Sequence, residues 1–90
     1  MKTILPHISI GHDEYGCVQV SIEDYELFDY ISDYLCEECD IDIDSLSDTT
    51  NSQGEVHTMY FSKNYKISDI EKHLIKLKPE DIEEIYALNN

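Results

Sequence analysis

SIEDYELFDYISDYLCEECDIDID, residues 21–44, carries the pattern from which the rest of the chain is read. At ~100° per residue it divides into two helical faces. Leu27, Phe28, Ile31, Tyr34 and Leu35 make an apolar stripe, and Glu26, Asp29, Asp33, Glu37 and Asp40 make an acidic rail on the other side. The pattern predicts a helix from Ile22 or Glu23 to Cys39, with Ser21 as N-cap and Asp24 in a capping-box-like position. The rail's spacing alternates three and four residues, so successive carboxylates stand ~4.5–6 Å apart along the axis. Like charges so placed oppose the helix by roughly 0.2–0.5 kcal/mol per pair. Glu37, Glu38 and Asp40 also have the wrong sign for the helix C-terminus. Ten of the chain's twenty carboxylates lie between Glu23 and Asp44, with no Lys or Arg among them. Charge arranged against helix stability points to a surface that meets something basic.

Outward from this stretch, alternation predicts strands. TILPHISI (3–10) places Ile4, Ile8 and Ile10 on one face, as an edge strand because Pro6 has no N–H to donate. GHDEYG (11–16) reads as a loop and CVQVSI (17–22) as a second strand. DIDIDSL (40–46) alternates strictly and predicts a third strand, Ile41 and Ile43 inward. SDTTNSQGE (47–55) reads as a hairpin loop. VHTMYF (56–61), with large side chains on both faces, predicts a central fourth strand. Ser68 and Glu71 form a capping box for a helix over 68–77, with Ile70, Leu74 and Leu77 inward. Pro79 ends it and opens a third helix through residue 90, with Ile82, Ile85 and Leu88 inward. The expected fold is a single α+β domain over 1–90: a two-layer sandwich of about four antiparallel strands with helices on one face, in the order ββαββαα.

Composition narrows the function. The net charge is −14. Residues 1–44 carry twelve acids and one lysine; residues 45–90 carry eight acids and five lysines, and there is no Arg. Direct nucleic-acid binding and attachment to an anionic membrane are excluded, since both need clustered cations. No apolar run reaches the ~20 residues of a membrane span. Three cysteines without an export signal point to reduced thiols and a cytoplasmic location.

Chemistry-bearing motifs are few. Cys36-Glu37-Glu38-Cys39 is a C-x2-C pair that can chelate zinc, with histidines available to complete four ligands, but it lacks the second pair of a zinc ribbon. It sits at a helix C-terminus among carboxylates, which raises a thiol pKa, the reverse of what a redox pair needs. Asp40, Asp42, Asp44 and Asp48 imitate a calcium loop, yet Ser45 and Asn51 stand where an EF-hand requires Gly and Glu. No nucleophile elbow, P-loop or H-E-x-x-H is present. The expectation is a non-enzymatic protein without a cofactor.

Recognition remains. Tyr25 and Tyr30 flank the rail, and aromatic anchors beside fixed charge make a binding surface. Asp13, Glu14 and Tyr15 in the first loop, and Asp42 and Asp44 beyond the helix, extend it. In composition the chain resembles immunity proteins that neutralise nuclease toxins, and phage DNA mimics such as anti-CRISPR and anti-restriction proteins. No motif carries that likeness, so it assigns no residue. The leading expectation is an acidic inhibitor that blocks a basic nucleic-acid-handling protein. The alternatives are a regulatory interaction module whose acidity serves solubility, with homodimerisation along an edge strand, and a small zinc protein using Cys36 and Cys39.

Overall fold

The computed structural model describes residues 1–51 and 54–88. The chain is α+β. Among the described residues there are five strands, β1 (Lys2–Leu5), β2 (Ile8–His12), β3 (Val18–Ile22), β4 (Ser45–Asn51) and β5 (Gly54–Tyr60), and three α-helices, α1 (Tyr25–Asp33), α2 (Ile67–Leu74) and α3 (Pro79–Leu88). All strand pairs are antiparallel and the sheet order is β1-β2-β3-β5-β4. Among the described residues the expectation of four strands is corrected to five, and β5 is a central strand as expected, paired with β3 on one side and β4 on the other.

The extra strand comes from the first segment. Leu5 pairs with Ile8, so Pro6 and His7 form a turn between β1 and β2. His7 adopts φ +66°, a conformation rare outside glycine and several-fold enriched in histidine. Its ring stacks on Tyr86 of α3, with centroids 3.6 Å apart. Nδ1 lies 3.4 Å from Glu23 Oε2; Nε2 is 3.2 Å from Glu83 Oε1 without hydrogen-bond geometry. The turn thus fastens α3 to this end of the sheet.

Helix α1 starts later than its periodicity suggests. Ile22 is fully buried in β3, paired with Ile8 and His57, so the chain is still a strand there. The N-cap is Asp24, not Ser21; its carboxylate accepts the Leu27 N–H at 3.0 Å. After Asp33 the helix widens into a π turn, Tyr34–Glu38, with Cys39 N–H donating to Tyr34 C=O at 3.2 Å. Asp40, at φ +57°, ends it, and Ile41 N–H reaches back to Leu35 C=O at 2.9 Å. Leu27, Ile31 and Leu35 are fully buried beside Phe28. Each contributes about 1.5–3 kcal/mol, which outweighs the repulsion along the rail.

Residues 40–44 are not a strand. Ile41 is buried and the three aspartates exposed, as the alternation implies, but the backbone bonds form no ladder: Asp42 N–H goes to the Tyr65 hydroxyl at 3.2 Å, and Asp44 N–H, next to β4, goes to Tyr60 C=O at the end of β5 at 2.8 Å. The hairpin expected to loop over 47–55 is strand through Asn51 and again from Gly54; residues 52–53 lie outside the described residues. Helix α2 begins at Ile67, and the side chain that caps it is Asp69, which accepts the Lys66 N–H at 2.8 Å, rather than the Ser68–Glu71 pair. Pro79 opens α3 as expected. Leu88 points outward, 80% exposed, against expectation, and the helix's expected end at 89–90 lies outside the described residues.

The core is one cluster. Leu5, Ile8, Ile10, Val18, Val20, Ile22 and Met59 from the sheet meet Leu27, Ile31 and Leu35, Ile70 and Leu74, and Ile82 from the helical layer. The other sheet face is polar. Thr3, Ser9, Ser21, Thr58 and Ser47 stand in one row across all five strands. Hydroxyl contacts tie parts of it, Thr3 to Ser9 at 3.3 Å and Ser21 to Thr58 at 3.1 Å.

Candidate partner-binding surface

Asp44, beyond the helix, lines one cleft with Asp13 and Glu14 of the β2–β3 loop, so the topology joins acidic residues at least 30 positions apart in sequence.

Along α1, Glu26, Asp29, Asp33, Glu37 and Asp40 are all exposed. Among the described residues none of the five is in an ion pair; the one lysine pairing is Lys2 with Glu71, at 2.8 Å. The rail is not the straight helical stripe that its spacing implies. Glu37 sits in the wider π turn, and Asp40 lies beyond it in the left-handed terminating position. Tyr30, Asp33 and Glu37 share a shallow cleft of about 180 Å³ with Tyr34 and Glu38. Tyr25, at the other end, sets its ring edge-on to His57, centroids 5.5 Å apart, while staying largely exposed.

A larger open cleft, about 530 Å³, brings together Asp13, Glu14, Tyr15 and Asp44 with Cys17, Tyr60, Phe61 and Lys63. Asp13 has a structural duty there. Its Oδ1 accepts the N–H groups of Tyr15 at 2.8 Å and Cys17 at 2.9 Å, and so shapes the loop. Glu14 and Asp44 are exposed, and Tyr15 is 71% exposed. Asp42 and Asp44 also line a neighbouring cleft of about 340 Å³ with Tyr65. The expected surface residues thus fall into two groups, one on α1 and one around the β2–β3 loop.

Cys36 is exposed and Cys39 half-buried, and both are free thiols. No third donor joins them: among the described residues no cluster of three His, Cys, Asp or Glu side chains is arranged to hold a metal. The Cys36 thiol is pushed above its ordinary value by burial of its sulfur. A backbone hydrogen bond from Ile43 opposes this, and Asp42, Asp33 and Glu37 reinforce it.

One constellation escaped the sequence pattern. His57 on β5 is 4% exposed, with Nδ1 2.6 Å from Asp48 Oδ1 on β4. Nε2 lies 3.4 Å from Glu55 Oε2 but makes no hydrogen bond. A histidine inside an apolar strand was the available signal; Asp48 was hidden in a segment that read as loop. No protein-family model, no curated protein and no solved structure matches the chain.

Proposed function

We propose that the chain is a small, non-enzymatic acidic inhibitor, acting in the cytoplasm. It binds a basic nucleic-acid-handling protein and occupies the surface that phosphates would otherwise contact. A nuclease toxin, countered by an immunity protein, and a CRISPR or restriction enzyme, countered by a phage DNA mimic, are the partner types of that chemistry. One observation carries the reading: the α1 carboxylates are exposed and unpaired with the chain's own lysines. Charge that its own fold does not use remains available to another molecule. Tyr30 adds exposed aromatic surface beside it, and Tyr15 does the same beside Glu14 and Asp44. Among the described residues no helix is long and apolar enough to cross a membrane.

The test is capture of a cationic protein by the tagged chain, followed by association kinetics. The on-rate should fall steeply with salt, and Asp29→Lys/Asp33→Lys should slow it at least ~10-fold. Added chain should also displace nucleic acid from the captured protein. A salt-independent on-rate, or undisturbed nucleic-acid binding, rejects the proposal.

A further inference from the structure

The sheet has two edges, and they are built differently. β1 is four residues long, its register shifts between Thr3 and Leu5, and it carries Lys2 and runs into Pro6. Shortness, irregularity, lysine and proline are the usual protections against strand addition. β4 has none of them. It spans seven residues, pairs with β5 without a register shift, and contains no Lys or Pro.

The direction of its backbone groups follows from the ladder. Phe61 N–H donates to Val18 C=O at 2.9 Å across the β5–β3 side. Backbone direction alternates along a strand, so Tyr60, Thr58 and Val56 turn toward β4. Their partners there are Ser45, Ser47 and Thr49. The N–H and C=O groups of Leu46, Asp48 and Thr50 are therefore directed away from the sheet. The side chains of these three share the helix-side face, where Leu46 is 59% exposed. Residues 44–60 include Asp44, Asp48 and Glu55 and no lysine or arginine.

From this edge we infer that β4 docks an extended, lysine- or arginine-bearing segment of the cationic partner, which adds to the sheet as a sixth strand. The inference rests on the inhibitor reading for the nature of that partner. Main-chain bonds to Leu46, Asp48 and Thr50 supply the pairing, and side chains supply the selection. A cation opposite Asp48 and an apolar residue opposite Leu46 require the pattern cation-x-apolar in an antiparallel segment. A second copy of the chain fits less well. Symmetric antiparallel pairing of Ser45–Asn51 with itself sets Asp48 against Asp48, and like charges directly opposite are destabilising.

The experiment is amide hydrogen exchange on the full chain with the peptide acetyl-TTKTVT-amide. Exchange at Leu46, Asp48 and Thr50 should slow about tenfold or more at saturation. The effect should vanish when the peptide is N-methylated at alternate positions, or when its lysine is replaced by glutamate. Protection of these amides in the free chain that grows with its concentration would mean that a second copy covers the edge, and overturns the inference. So does the absence of protection at any peptide concentration. If the peptide perturbs only α1 near Asp29 and Asp33, strand docking fails while the inhibitor reading stands. If β4 is protected but Asp29→Lys/Asp33→Lys leaves capture of a cationic protein unchanged, docking stands and the rail's role falls.

Discussion

His57 Nδ1 and Asp48 Oδ1 lie 2.6 Å apart and bind β5 to the edge strand β4 from beneath the rings of Tyr25 and Phe28. The histidine is buried, whereas the Asp48 side chain is 72% exposed. The contact gives a buried polar atom its one partner and leaves Nε2 without a hydrogen bond.

Asp48→Ala should therefore destabilise the fold by about 1 kcal/mol, the lower end of the range for orphaning a buried group, because water reaches the vacated position. Adding His57→Phe removes the orphan and should recover part of the loss. Urea denaturation of both single variants and the double variant measures this. Strict additivity of the two single effects would show that the pair is not coupled.

Tyr34 should ionise above the ordinary tyrosine range. Its hydroxyl donates to His73 C=O at 2.7 Å. Burial pushes its pKa up from 10.0 to about 12, helped by a hydrogen bond with Cys39 and the charges of Cys39 and Glu38. The folded state favours the protonated phenol. The stability this gives is complete below pH 10 and is lost as pH rises through about 12. Phenolate absorbance should show a late step that Tyr34→Phe removes, at a cost of roughly 0.5–1.5 kcal/mol at neutral pH.

His73 has the opposite linkage. Burial lowers its pKa below 6.5, Lys72 and Lys76 add to the effect, and Asp69 opposes it. The folded state favours the neutral ring, so this stability is present above pH 6.5 and declines as pH falls through the lower folded value. Proton NMR should place His73 below the ordinary histidine range. His73→Gln should flatten the acid side of the stability profile.

Reversing charge on the rail should strengthen the fold while it weakens binding. Asp33→Lys exchanges repulsions on α1 for attractions worth about 0.2–0.5 kcal/mol per pair. Its melting temperature should rise at low salt and return toward that of the parent at high salt. A fall in stability would mean that Asp33 serves the fold after all.

Cys36 should be a slow thiol. With its pKa raised, less thiolate is present at neutral pH, so alkylation lags behind that of a free cysteine. Asp42→Asn should speed it by removing the first of the nearby negative charges that raise it. Equal rates before and after that change would show that the carboxylates do not govern the sulfur.

Burial was more legible in the sequence than bonding. Leu27, Phe28, Ile31 and Leu35 bury the stripe that 3.6-residue periodicity marks, and Pro79 opens α3 where its missing N–H costs nothing. Asp40 to Asp44 show the limit. Alternation there reports which side chains face inward, yet a side chain, the Tyr65 hydroxyl, takes the Asp42 N–H, and Asp44 meets β5 at its last residue, Tyr60. His7 shows another: Pro6 suits the first central position of a turn, but the positive φ falls on a histidine set against Tyr86 and Glu23 from distant segments, and the alternation on either side read as one strand. Threonine-rich β4 read as loop because its partner strand, not its own composition, orders it. At the surface, the exposure of the rail was legible, whereas the meeting of Asp13, Glu14 and Tyr15 with Asp44 needed the topology.

The π turn at Tyr34–Glu38 closes its rings with one residue more than an α-helical turn uses. Deleting a single residue within it would let the coil tighten without breaking its axis. Glu37 would then swing round the helix toward a new bearing, while Glu26, Asp29 and Asp33 kept theirs. Chains of this fold that differ by that one residue would offer differently aimed carboxylates from the same scaffold, so, on the inhibitor reading we propose, a one-residue length change here is a simple route to a changed choice of partner.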